Sequence, residues 1–212
     1  MNKQPKPDSK KYTDLISEIK KGQIKIPKFQ RDFVWSIDKT AKLLDSILKG
    51  YPIGTFILWE TNERLNDIKN IGNLVLPPVP DDIKVQYVLD GQQRITSLYA
   101  AFLGASIQKE GEKKITNYGS IFVDLEGDID NNDEQIIVSE EPESKNISLK
   151  DLLNSKYSDL REKYSNDDID KIQEYKETFT SYDFSTVVLR KEDIDSAIEV
   201  FTRINTGGQT LT

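Results

Sequence analysis

The chain has 212 residues, with 29 Lys and Arg against 36 Asp and Glu, a formal net charge of −7, 36% hydrophobic and 31% charged residues. That balance reads as a globular chain long enough to bury a substantial core, as one large domain or two small ones. The absence of any cysteine or histidine excludes disulfides, thiolate nucleophiles, Cys- or His-ligated metals, and Ser-His-Asp or Cys-His catalysis.

What remains for chemistry is Asp, Glu, Arg, Lys, Gln, Asn, hydroxyls, backbone amides and a hydrated hard cation such as Mg²⁺. Phosphoryl transfer suits that inventory, because it depends on positioning and charge stabilisation more than on an elaborate base. No apolar run reaches the roughly 20 residues of a membrane span, and the N-terminal MNKQPKPDSKKYTD lacks the apolar segment of a secretory signal. A cytoplasmic protein is expected. Charge is uneven: residues 1–31 hold nine Lys and Arg against three acids, and residues 126–145 hold eight acids against one Lys. A locally basic face is compatible with the acidic total, although solvated tails and loops explain such runs equally well.

In chain order, residues 1–11 read as a flexible tail and 12–21 as a short amphipathic helix with Leu15, Ile16 and Ile19 at helical spacing. QIKIP (23–27) alternates and stops at proline, as a short strand does. Ser36 has the place of an N-cap, with Asp38 in the first turn of a helix over 37–50 that buries Ile37, Leu44, Ile47 and Leu48. YPIG is a turn and TFILWE (55–60) a buried strand. NLVL (73–76) reads as an edge strand inside a longer excursion, and KVQYVL (84–89) as the next strand. The helix over 92–103 carries Ile95, Leu98, Tyr99, Phe102 and Leu103 as a core-facing stripe. Strands are predicted at 120–125 and 135–138, joined by the acidic EGDIDNND. A helix over 148–154 capped by Ser148, a polar helical stretch over 157–178, a strand at 185–190 and a helix over 192–203 follow. The last presents Ile194, Ala197, Ile198 and Phe201 on one face. The final TLT reads as the lead-in to another helix, so a longer protein is expected. Interleaved strands and helices give a mixed α/β or α+β class.

The chemistry-bearing stretch is VLDGQQR (88–94): a strand, Asp-Gly at its C-terminal end, then a helix. This is where α/β proteins bind ligands, and the free amides of a first helical turn form an anion site. Gly91 removes a side chain where phosphate oxygens would approach the backbone. Arg94 is oddly placed, since a cation near a helix N-terminus is unfavourable by about 0.3–1 kcal/mol unless an anion lies between them. With a phosphate present, its planar fork becomes a bidentate grip. Asp90 is then a Mg²⁺ ligand or water-orienting group, and Gln92 or Gln93 bonds phosphate, base or attacking water. A structural reading stands beside this one, with Asp90 as N-cap and Arg94 paired to a neighbouring carboxylate. In IPKFQRDFVW (26–35), Phe29, Phe33 and Trp35 surround Gln30 and Arg31, as a wall that stacks a base or as a core hinge. In FTRINTGG (201–208), Arg203, Asn205, Gly207 and Gly208 form either an anion-binding turn or an ordinary C-cap.

These three motifs together, in this order, resemble the N-terminal domain of GmrSD-type restriction endonucleases over residues 12–212. The resemblance implies a ParB/sulfiredoxin-like α/β domain that binds and hydrolyses a nucleoside triphosphate with Mg²⁺, in a system recognising modified phage DNA. Carried over, it places nucleotide binding and hydrolysis on Asp90, Gly91, Gln92, Gln93 and Arg94. It places pocket lining and modification sensing on Phe29, Gln30 and Arg31, and completion of the site on Arg203 and Asn205. The family's His-dependent nuclease is expected further along, and no DNA cleavage is expected of these histidine-free residues. Sulfinic-acid reduction fails for want of cysteine.

Overall fold

In chain order the elements are β1 (Lys6–Lys11), α1 (Tyr12–Lys20), β2 (Ile24–Pro27), α2 (Ile37–Leu48), β3 (Phe56–Thr61), β4 (Ile68–Lys69), β5 (Val85–Asp90) and α3 (Gln92–Leu103). There follow β6 (Ser106–Gln108), β7 (Ile115–Asn117), a 3₁₀ turn (Tyr118–Ser120), β8 (Ile121–Asp124), β9 (Ile136–Val138) and β10 (Asn146–Ser148). The last elements are α4 (Leu149–Asn154), α5 (Tyr157–Leu160), α6 (Asn166–Ser181), β11 (Asp183–Leu189) and α7 (Ile194–Thr206). The computed structural model describes residues 5–66, 68–71, 73–127, 134–190 and 193–206.

Six strands form one mixed sheet in the order β1-β11-β3-β5-β2-β4. β5 runs parallel to β2 and antiparallel to β3, and β3 runs parallel to β11. Side chains alternate across this sheet as the pleat requires. Phe56, Leu58 and Val88 face one core with the apolar sides of α1, α2, α3, α4 and α6. Trp59, Val85, Tyr87 and Leu89 face a second, smaller core closed by Ala197, Ile194 and Phe201 of α7. Both sheet faces are therefore covered, which confirms the mixed α/β expectation. A three-stranded sheet (β10-β8-β9) and the β6–β7 hairpin lie outside the main one. Among the described residues, no helix is long and apolar enough to cross a membrane.

Most predicted elements appear within a few residues of their expected bounds, and Ser36, Ser148 and Ser165 each accept a bond from a first-turn amide. Several expectations are corrected. The expected tail over 1–11 is in part an edge strand: β1 pairs antiparallel with β11, satisfying backbone groups that composition alone left to water. NLVL is not a strand; Leu74 makes an isolated bridge to Ile71 instead. The polar stretch over 157–178 is two helices, because Ser165 and Asp168 form a capping box that starts α6 afresh. Ile198, expected on the buried face of α7, is 40% exposed. The lead-in TLT, the Gly207-Gly208 turn and the 128–133 part of the acidic loop lie outside the described residues.

α3 is held from beneath by α1. Tyr12 is completely buried and its hydroxyl donates to Leu98 O at 2.9 Å, and burial pushes the phenol above its ordinary pKa. Tyr12→Phe removes that bond at constant packing, so unfolding free energy should fall by about 0.5–1.5 kcal/mol. The melting temperature should drop by a few degrees, on the order of 2–4 °C per kcal/mol for a chain of this size. Thermal and urea unfolding monitored by circular dichroism check this.

Candidate functional site

Strand direction decides what meets at the C-terminal end of β5. β2 is parallel, so its following loop (28–36) emerges at the same edge. β3 is antiparallel, so the turn leading into it (51–55) lies there too. β11 is parallel to β3, so it ends at the far edge, and α7 runs back to bring its C-terminus to this one. Three distant pieces of sequence thereby converge on DGQQR.

Just before Asp90 the β3–β5 register slips: Ile57 faces Asp90 and Leu58 faces Val88, leaving Leu89 as an extra residue. Such a bulge bends the strand and re-aims its groups. Successive carbonyls of a regular strand point opposite ways, yet here Gln30 Nε2 donates to both Val88 O (2.9 Å) and Leu89 O (2.8 Å). Gln30 thus continues the sheet with a side chain where β2 has left it. Gln93 fastens the same loop from above. Its Oε1 accepts from Val34 N (2.9 Å) and Trp35 N (3.3 Å), and its Nε2 donates to Asp32 O (2.7 Å).

Arg94 answers the question its position raises. Gly91, not Asp90, occupies the N-cap, with φ +91° and no side-chain cap bond. The Arg94 fork turns back from the helix end and donates to Ile53 O (2.6 Å) and Thr55 O (3.0 Å). It also reaches Asp90 Oδ2 at 3.2 Å and lies 5.0 Å over the Phe56 ring. Burial holds the guanidinium below its ordinary pKa, and the Asp90 charge partly offsets this. The fork, expected to grip phosphate, bonds two backbone carbonyls and the carboxylate one turn back. Two glycines make room for it. A Cβ on Gly54 (φ +87°) would lie 2.7 Å from Arg94 Nη1, and one on Gly91 would strike Phe56.

The result is a cleft of about 90 Å³ lined by Gln30, Arg31, Trp35, Asp90, Gly91, Gln92, Gln93, Arg94 and Asn205. Its floor is the start of α3, where Ile95 N is the first amide bonded back within the helix, to Gly91 O. Arg31 is exposed and makes no ion pair among the described residues. Asn205 lines the cleft although its Nδ2 donates to Phe201 O at 2.8 Å. Two expected members lie elsewhere. Phe29 stacks on Phe201 (5.0 Å) and lines a separate cavity with Leu65 and Ile194. Arg203 is 77% exposed and paired with Glu199. Trp35, read in the sequence as part of a wall around Gln30 and Arg31, lines the cleft, whereas sequence reasoning missed Gly54 as the partner of Arg94 and a larger polar cavity of about 790 Å³ that shares Gln92 with the cleft. A glycine between the two residues whose carbonyls accept from Arg94, in YPIGTF, was the signal for Gly54, legible only once Arg94 is placed opposite.

Two comparisons bear on this arrangement. A family model described as GmrSD restriction endonuclease, N-terminal domain, matches residues 12–212. An uncharacterized protein of Methanocaldococcus jannaschii is 33% identical over 132 residues, 58% of this chain. The match spans 22% of that relative's length.

The Arg94 clamp makes a coupled prediction. Arg94→Ala removes the donor from two half-buried carbonyls and should cost about 1–3 kcal/mol, below the sum for two fully buried unpaired groups. Gly54→Ala should also destabilise, through its positive φ and its clash with Nη1. Because the clash needs the arginine, the double variant should be more stable than the sum of single effects by about 0.5–3 kcal/mol. Denaturant unfolding of the four proteins measures that coupling.

Proposed function

Because the chain belongs to the GmrSD restriction endonuclease N-terminal domain family, we propose that it is the nucleotide-binding, Mg²⁺-dependent NTP-hydrolysing sensor domain of a modification-dependent antiphage restriction system. The observation that carries this reading is the cleft at Gly91: first-turn amides of α3 without a side-chain cap, a backbone bared by glycine, and polar side chains from three loops around it. Such a helix start favours an anion through its amides and its partial positive charge. DNA is proposed as a partner of the full-length protein, and cleavage is assigned to a nuclease region outside these residues. Arg31 is the group left for DNA on this face. Gln30 is fixed to β5, whereas Arg31 is exposed beside Val34, which is 60% exposed.

The residues present fit Mg²⁺ in one form. Asp90 is 41% exposed at the cleft rim and engages Arg94 through Oδ2 alone, leaving its other oxygen available. Among the described residues, no group of three His, Cys, Asp or Glu is placed to hold a metal. One carboxylate suits an ion shared with phosphate oxygens and water, not an all-protein cage. When bound there, Mg²⁺ supplies neutralising charge on the phosphate oxygens.

The remaining work falls to the chain. Amides of the α3 start hold the anion and, being fixed, stabilise charge that develops on it. Of the two glutamines, Gln93 has both amide ends committed, so orientation of an attacking water belongs to Gln92. Its Oε1 accepts from Gln93 Nε2 at 3.0 Å, while its own Nε2 makes no hydrogen bond among the described residues. Arg94 acts as a positioning residue, setting Asp90 and the helix start against β3.

A second reading, a nucleotide-operated switch without turnover, is favoured by how many motif side chains are spent on the scaffold: Gln30, Gln93 and Arg94 all bond backbone. Phosphate release from ATP, GTP, CTP and UTP with and without Mg²⁺ separates the two. Hydrolysis predicts Mg²⁺-dependent release that Asp90→Ala reduces by orders of magnitude. A switch predicts nucleotide-dependent thermal stabilisation without release. Absence of both overturns the nucleotide reading.

A further inference from the structure

The cleft at Gly91 accommodates an anionic group and little more, because small-molecule sites usually occupy about 300–1,000 Å³ and this one has about 90 Å³. The neighbouring cavity, at about 790 Å³, has the right size and meets the cleft at Gln92. One wall is the β6–β7 hairpin with Gln108 and Lys109; the other is the segment around β4 with Asn70 and Asn73. Gln108 N donates to Asn73 Oδ1 at 3.1 Å, tying the two walls together. Phe33, from the loop that also frames the cleft, supplies an aromatic surface.

Lys109 is the unexplained group. It is only 8% exposed, yet among the described residues its side chain makes no ion pair or hydrogen bond, and its ammonium lies 5.7 Å from the Phe33 ring centroid. An ammonium on the cavity wall with no protein oxygen bonded to it has donors open to a ligand oxygen. Of the carboxylates that line the cavity, Asp32 is paired with Lys69, and Glu110 and Glu112 are exposed on the hairpin turn. The lining as a whole combines amide groups, which both donate and accept, an aromatic face, and three lysines balanced by three carboxylates. That mixture fits a nucleobase and its ribose, with carbonyl and hydroxyl oxygens facing a lysine.

We propose that this cavity receives the nucleoside of the nucleotide whose phosphates lie at Gly91, with Lys109 donating to a nucleoside oxygen and Gln92 standing at the junction of the two compartments. The inference rests on the phosphate reading of the cleft, and the test keeps the two apart. Binding of inorganic triphosphate and of ATP, GTP, CTP and UTP, all with Mg²⁺, is measured by calorimetry on the 212-residue chain, on Lys109→Met and on Asn70→Trp. Lys109→Met keeps the volume and removes the ammonium; Asn70→Trp, at an exposed rim position, narrows the cavity without touching the core.

The expected result is that at least one nucleoside triphosphate binds more tightly than inorganic triphosphate. Both variants should weaken that nucleotide by about tenfold or more, as loss of a hydrogen bond to a charged group does, and leave inorganic triphosphate unchanged. If inorganic triphosphate binds but no nucleotide binds better, or neither variant affects the nucleotide, the nucleoside assignment is overturned while the phosphate cleft stands. If neither inorganic triphosphate nor any nucleotide binds, the phosphate reading falls and this inference with it.

Discussion

A single half-buried guanidinium organises the edge of the sheet where the site lies. Arg94 is placed at the start of a helix, where the backbone dipole opposes it, and its fork is satisfied by two carbonyls of the turn ahead of β3 and by Asp90. A cation that is desolvated must be fully bonded to be tolerated, so the turn, the helix start and the carboxylate are held in one arrangement or not at all. Gly54 and Gly91 are consequences of that requirement. Each removes a Cβ from the space that the fork or the Phe56 ring beneath it occupies.

The rest of the site is built by amide side chains that act as pieces of backbone. Gln30 extends the sheet past the end of β2, and Gln93 pins residues 32–35 to α3. Neutral amides suit this task because each carries two donors and an acceptor without the desolvation cost of a charge. The outcome is a rigid frame around a small opening, with Asp90, Gln92 and Arg31 keeping free polar groups.

The sequence made the helices and central strands legible because their apolar spacing is strong and Ser36 and Ser148 mark two helix starts. It concealed β1, whose PKPDSKK is indistinguishable from a solvated tail until β11 offers it an edge. It concealed the β6–β7 hairpin as well, since its strands are three residues long and its turn is charged. At the site, the motifs were visible as a group and their convergence follows from strand direction. The division of labour was not visible. Whether a glutamine faces a ligand or a carbonyl depends on the bulge at Leu89, and Phe29 and Arg203 point away because α7 meets the sheet with Phe201 turned toward Phe29. The family match over 12–212 sits on the same motifs, and the structure separates those that frame the opening from those that face it.

The unpaired Leu89 also makes this stretch length-locked. The extra residue sets the phase in which Asp90 leaves β5, while Gln30, Gln93 and Arg94 grip the chain on either side of it. Swapping one side chain for another there perturbs a contact, whereas losing or gaining a single residue would rotate the carboxylate to the opposite sheet face and unfasten all three grips together. This neighbourhood thus tolerates exchange of side chains better than a change of spacing, which the outlying loops can absorb.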